Sequence, residues 1–426
     1  MTQATGIVAF VVALLVSITL HEAGHWWTAR RFGMKVSRFF VGFGPTVRSF
    51  RRGETEYGVK AIPLGGFAKI EGMTPLEEAE PARPPGAGGN LLDRIEGAAP
   101  AGGLGAGEAD RAFYKQPAPQ RAVVLAAGSI VHFLIAILLI YAVLVTLGTQ
   151  RPSENRIGAV SGCVPVTFGT SCPPGDPPSP AKRVGLRPGD QIVRLDGTPV
   201  TTWADLTRRI REHGPGPVTL VVRRDGRELT LRPDLAAVQR DRVTGRAGTD
   251  RVGALGVGQG VEPVHYGPLS AVPQTFVVIG RGLSGIWDTV TNRLGDIGQL
   301  FSDRRDPNGL VGVVGAARGS GDLLSRPGEP WSVRIGQFTL LVAGLNLFVG
   351  IFNLLPLLPL DGGHLAVLGF EQARDRLRWL RGYRGPLQRV DLMKLMPATY
   401  AVVAFMIALS VLILSADIVN PIRLNQ

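Results

Sequence analysis

The chain has 426 residues, with 46 Lys and Arg against 34 Asp and Glu, and a formal charge of +12. A balance this basic fits a nucleic-acid binder, but mean hydropathy is positive at +0.16. The basic residues flank apolar runs and form no binding motif, so nucleic acid is excluded as a partner. The two cysteines, Cys163 and Cys172, are too few for a cysteine-rich scaffold or a thiolate zinc site.

Four apolar stretches, near 7–27, 122–147, 338–360 and 398–414, are long enough to cross roughly 30 Å of hydrocarbon as helices. The first has no Lys or Arg ahead of it and no cleavage site, and it runs into His21 and Glu22. It reads as a retained helix rather than a signal peptide. Basic residues cluster in 28–60 and again between Arg374 and Lys394, whereas the first six residues have none and the tail has only Arg423. The positive-inside rule then places both termini and the 148–337 segment outside, with the two basic loops in the cytoplasm.

In chain order the expected units are span one at 1–30 and a cytoplasmic loop at 31–121, followed by span two at 122–148. An outer domain at 153–260 and an amphipathic or linker segment at 261–335, with a partly apolar, helix-like run near 269–300, come next. Span three at 336–363, a cytoplasmic loop at 364–397 and span four at 398–415 complete the chain. Within the first loop, apolar residues alternate around Gly and Pro over 39–71, predicting a membrane-associated β-hairpin element. Residues 74–110 are rich in Pro, Gly, Ala and Glu and are expected to be disordered. In the outer domain, Gly185 to Gly197 reads as turn, strand, turn. A helical stretch at 203–213 and strands at 217–223 and 228–232, joined by Asp225-Gly226, follow. This pattern resembles a bacterial PDZ domain, which takes a peptide as an added strand. Cys163 and Cys172 fall in a Pro/Gly-rich loop outside, where a disulfide persists. A stapled loop is expected, with free thiols as the alternative.

His21-Glu22-Ala23-Gly24-His25 fits H-E-x-x-H. On a helix, residues four apart share a face, so both imidazoles can reach one zinc ion, and Glu22 stands where it can take a proton from water. Ionisable groups within an apolar span are expensive to bury and point to function. A catalytic zinc takes a third protein ligand and leaves one position open. Asp361 supplies it, directly after an apolar run that Pro356 and Pro359 break. Spans one and three run in the same direction, so the two motifs lie at similar depth.

H-E-A-G-H in the first span, N-x-x-P-x-x-P-L-D-G-G from Asn353 and the PDZ-like insertion together resemble the site-2 protease family. The nearest branch is the bacterial regulator-of-sigma-E type, in its actinobacterial form. The resemblance implies a polytopic α-helical membrane protein of about four transmembrane helices in the bacterial plasma membrane. A cytoplasmic membrane-associated β-hairpin element and an extracytoplasmic PDZ-like α/β domain complete that fold. It implies one Zn2+ held by His21, His25 and Asp361, with Glu22 as general base. Asn353 would hold the substrate backbone or oxyanion, and the β-element, including Gly65, Gly66 and Phe67, would offer it an edge strand. The implied activity is intramembrane proteolysis of single-span membrane proteins in the lipid bilayer. Those substrates are anti-sigma factors first trimmed by a site-1 protease, with remnant signal peptides as a second class.

One stretch departs from the family pattern G-P-x-x-N. Here it reads Gly128-Ser129-Ile130-Val131-His132. His132 is expected to hydrogen-bond a neighbouring helix, with a fourth ligand or a proton shuttle as alternatives. His364, His213 and His265 read as non-ligands. The rival function is a non-catalytic, zinc-braced scaffold that binds peptides through its PDZ-like domain. A tethered protease cutting in the cytosol is a third reading, disfavoured by L-D-G-G at the end of a span.

Overall fold

The computed structural model describes all residues except 1, 74–103, 105–106, 165–177, 242–248, 293–297, 299, 302–310, 327, 385–388, 391 and 421–426. Two compact units emerge. The first comprises residues 1–145 and 267–425, and the second comprises 146–266.

Among the described residues, the first unit has four helices long and apolar enough to cross a membrane. They are α1 (Gln3–Arg31), α2 (Ala118–Ala142, continued to Leu147 by a π-helical turn), α7 (Trp331–Asn353) and α9 (Met396–Val419). Outward positions such as Val12, Leu138 and Phe405 are large, apolar and exposed. That suits lipid as the solvent, because each helix satisfies its own backbone. After α1 the chain turns into β1 (Val36–Arg52) and β2 (Thr55–Ile70), a long hairpin that folds back on itself. Phe39 pairs with both Tyr57 and Ala68, and Phe40 with both Gly58 and Phe67, while Arg48 pairs with Val59. The first half of β1 is therefore enclosed, and residues 66–70 form one edge of the sheet. A buried core of Ala29, Met34, Val36, Ile70, Phe113, Val124 and Leu125 fixes the ends of α1 and the hairpin against α2.

Several boundaries differ from expectation. Span three was expected to carry Asp361 at its end, but α7 stops at Asn353 and Asp361 opens a separate helix, α8 (Asp361–Leu380). Pro356 and Pro359 lack N–H donors and prevent continuation through 354–360. Gly362 packs against the break: a Cβ there would stand 2.3 Å from the Leu354 carbonyl carbon. Most of the expected 364–397 loop is consequently α8. The 261–335 segment, expected to carry a helix-like run near 269–300, contains α5 (Pro268–Asn292) there and a further helix, α6 (Val313–Ser325), that was not expected. Asp417 Oδ2 of α9 accepts from the N–H groups of Gly312 (3.0 Å) and Gly315 (2.8 Å), satisfying donors that the start of α6 leaves free. Ser320 of α6 donates to the Gly6 carbonyl of α1 at 3.1 Å. Most of the expected disordered insert lies outside the described residues. Its end does not fit that expectation, because Glu108 pairs with Lys35 and Arg111. Arg111 also grips Glu54 through two 2.8 Å bonds.

In the second unit the five strands β11 (Val257–Val264), β3 (Thr149–Val160), β4 (Gln191–Leu195), β7 (Leu220–Arg224) and β8 (Arg227–Leu231) lie in that spatial order, with β5 (Thr198–Pro199) beside β4. A second sheet joins β10 (Thr249–Ala254), β9 (Asp234–Asp241) and β6 (Gly216–Pro217). Two helices, α3 (Pro180–Arg183) and α4 (Trp203–His213), complete it. Leu206 and Ile210 of α4 enter a core with Ile157, Ile192, Leu220 and Val222. Cys163 is buried, while Cys172 and hence the expected bridge lie outside the described residues.

Asp190 immediately precedes β4 and is 1 % exposed. Burial alone pushes its carboxyl up, but the Arg224 guanidinium at 2.6 and 2.7 Å and the Arg187 N–H at 2.9 Å outweigh it and hold the pKa below the usual range. A depressed folded pKa contributes stability that is present above the unfolded value of about 3.9 and lost as pH falls through the folded one. Asp190→Asn is expected to cost this unit about 2 kcal/mol at pH 7 and to flatten its acid sensitivity. Hydrogen exchange of β4 and β7 amides in the full chain measures both, and equal protection in variant and wild type would refute the assignment.

Candidate metal centre

The second half of α1 carries His21, Glu22 and His25. Four positions apart, the two imidazoles project from one face and both are buried. His25 Nδ1 lies 2.7 Å from the Val124 carbonyl of α2. A carbonyl only accepts, so Nδ1 carries the proton and Nε2 presents a lone pair. That nitrogen is 3.2 Å from His21 Nε2. Asp361 Oδ2 is 3.4 Å from His21 Nε2 and 3.3 Å from His25 Nε2. One donor atom from each of the three residues lies within 4.8 Å of the others. Electron pairs gathered this closely in a buried place repel one another unless a cation sits among them. Two imidazoles and a carboxylate form a donor set that suits zinc.

The break after Asn353 is what delivers Asp361. An uninterrupted α7 would carry residue 361 onward by eight helical rises, about 12 Å. The broken segment instead returns the chain, so that Asp361 begins α8 beside α1. Glu22, one residue from His21, is held differently: the Ala68 N–H of β2 donates to its Oε2 at 3.0 Å. A Cβ on Gly66 would approach Glu22 Cγ to 3.3 Å, so the sheet edge at 66–68 lies directly against the carboxylate. Phe67 stacks on Phe40 with centroids 5.7 Å apart, and Gly65 precedes this edge on β2. Asn353 is the half-buried last residue of α7. His364 lies on α8 one turn beyond Asp361, while His213 and His265 belong to the second unit.

His132 of α2 is buried, its ring centroid 4.9 Å from that of His21. Its Nδ1 meets Asn346 Oδ1 of α7 at 2.8 Å, and Asn346 Nδ2 donates to Ser17 Oγ of α1 at 3.0 Å. Sequence reasoning missed Ser17 and Asn346. Their signal was present, since each is a polar residue within an apolar span. The Val124 carbonyl and the Ala68 N–H carry no sequence signal, because every residue except proline has both groups.

Gly128 allows α2 to approach this closely. A Cβ there would stand 2.3 Å from His21 Cε1 and 2.5 Å from His25 Nε2. Overpacking costs about 1–3 kcal/mol, so Gly128→Ala is expected to weaken metal binding roughly tenfold while the helices still assemble. Metal retention under graded chelation measures this, and unchanged retention would place the histidine rings elsewhere.

Comparison with known proteins gives a consistent picture. The family model described as Peptidase family M50 matches residues 9–389. The chain is 40% identical over 439 residues to "Zinc metalloprotease Rip1" of Mycobacterium tuberculosis H37Rv, covering 99% of both chains. It is 37% identical over 440 residues to the protein of that name from Mycolicibacterium smegmatis, again with 99% of both covered. "Metalloprotease MmpA" of Caulobacter vibrioides is 29% identical over 384 residues, with 87% of each chain covered. With a family model spanning most of its length and full-length similarity of this order, the chain belongs to peptidase family M50.

Proposed function

We propose that this multi-pass M50 peptidase is a zinc metalloprotease that hydrolyses peptide bonds within the spans of single-span membrane proteins. In this reading His21, His25 and Asp361 hold one zinc ion and Glu22 is the general base. The observation that carries it is the convergence of three metal-donor atoms within 4.8 Å, beside a carboxylate that lies against a sheet edge at 3.0 Å. A zinc ion bound there supplies Lewis acidity that polarises the scissile carbonyl and acidifies water. Glu22 takes a proton from the attacking water as the new carbon–oxygen bond forms, and delivers it to the amide nitrogen as the carbon–nitrogen bond breaks. A carboxylate restrained by one backbone donor is positioned for both transfers.

A substrate span hides its carbonyls in its own helical hydrogen bonds, so it must unwind before attack. The edge at 66–70, including Gly66 and Phe67, takes the unwound segment as an added strand, with Gly65 at its approach. Asn353 bonds the freed backbone. Together they offset the unsatisfied groups that unwinding would leave in lipid. The substrates in this reading are anti-sigma factors already trimmed by a site-1 protease, and remnant signal peptides. In this reading the protein lies in a bacterial plasma membrane, and the distribution of basic residues favours both termini and the second unit outside. That unit acts as a PDZ-like domain: β11 is a sheet edge, and a cleft of about 330 Å³ lined by Trp203, Leu206, Ile210 and Leu255 lies within the same unit.

The decisive variant is Glu22→Gln. It is expected to retain one zinc per chain and to lose cleavage of a reconstituted single-span substrate by a factor of about 100 or more. Zinc retention with undiminished cleavage would remove Glu22 from the chemistry. If the wild type binds zinc and cuts no helix-destabilised substrate, a zinc-braced scaffold becomes the better description.

A further inference from the structure

His132 has a fixed tautomer. Asn346 Nδ2 donates to the Val342 carbonyl at 2.9 Å as well as to Ser17 Oγ. Because a carbonyl accepts only, the amide nitrogen of Asn346 must lie on that side, and its Oδ1 faces His132 Nδ1 at 2.8 Å. His132 Nδ1 therefore carries the proton, and Nε2 of the neutral ring presents a lone pair. Ser17, His132 and Asn346 are 5 %, 2 % and 1 % exposed, so water does not supply their partners.

His21 has the complementary need. Its Nε2 turns toward His25 and Asp361 and serves as the donor atom to a metal, which leaves the proton on Nδ1. That Nδ1 is buried and has no hydrogen-bond partner among the described residues. His25 meets the same requirement through the Val124 carbonyl. Metal-bound imidazoles almost always donate their second N–H, and the acceptor sets ring orientation and basicity.

We propose that His132 is the positioning residue for His21: its Nε2 accepts the His21 Nδ1–H, ending a relay that runs Ser17, Asn346, His132, His21. The two rings lie 4.9 Å apart between centroids and 39° from coplanar, a separation at which a small ring rotation closes the N–H···N contact. Helix α2 thereby orients both histidines, His25 through a backbone carbonyl and His21 through a side chain. The relay also ties α1, α2 and α7 together at the level of the metal. This inference rests on the reading of His21 as a zinc ligand.

The test uses purified full-length protein in detergent, with zinc affinity from chelator competition and the visible spectrum of the Co2+-substituted form. His132→Ala is expected to weaken zinc about 10–100-fold while still binding one metal ion with the donor set of the wild type. His132→Gln, whose side-chain carbonyl can accept the His21 N–H, is expected to restore part of that loss. Asn346→Ala, which frees His132 to turn, should give a smaller loss of the same sign. Zinc affinity within twofold of wild type in all three variants, with only a lower Tm, would mean a packing brace and overturn the proposal. A Co2+ spectrum showing one imidazole donor fewer in His132→Ala would make His132 a fourth ligand and overturn it too. A wild-type protein that takes up no zinc overturns both this inference and the reading on which it rests.

Discussion

Mutual repulsion among three buried electron-pair donors is the constraint around which this molecule is organised. His21 Nε2, His25 Nε2 and Asp361 Oδ2 stand 3.2–3.4 Å apart, a convergence of lone pairs that a bound cation would relieve. Every neighbouring element opposes their separation. The break in the chain after Asn353 returns Asp361 to α1, Gly128 admits α2 to van der Waals contact with both imidazoles, and the Val124 carbonyl fixes the ring of His25. The energy that keeps the donors together is spread over helix packing and buried hydrogen bonds. Within a bilayer these have no competing water to weaken them.

The same constraint separates the roles of the two carboxylates. Asp361 shares its oxygen with two imidazoles, which is a ligand's environment. Glu22, adjacent to His21 in sequence, is not one of the three converging donors and accepts a backbone N–H from the sheet edge. A single hydrogen bond leaves lone pairs available for proton transfer. In the proposed reading the hairpin serves both as the surface along which an unwound span lies and as the restraint on Glu22 as base.

Legibility in the sequence followed the range of the interaction. H-E-x-x-H in an apolar run was readable because helical geometry alone places residues 21 and 25 on one face. Asp361 was readable as a carboxylate at a span's end, but its delivery was not. Two prolines announce a break, yet the direction in which the chain leaves it depends on the close packing of Gly362 against Leu354. The β-element was recognised from alternation, whereas its double pairing through Phe39 and Phe40 depends on long-range register. Within 261–335 the run near 269–300 read as helical, but α6 did not, because it is short and rich in small residues. That helix is stabilised by Asp417, about a hundred positions away in the chain. His132 stood out as a polar residue in a span, but its partner Asn346 is set by how α2 crosses α7, and no local pattern reports that crossing.

The central claim is that two imidazoles and one carboxylate of this chain hold a single zinc ion. X-ray absorption at the zinc edge, on full-length protein purified without added chelator, tests it most directly. The account predicts one zinc per chain, with two imidazole nitrogens and oxygen donors at roughly 2.0–2.2 Å, and loss of the metal in His21→Ala or His25→Ala. Zinc well below one per chain, or a shell without imidazole scattering, would contradict it.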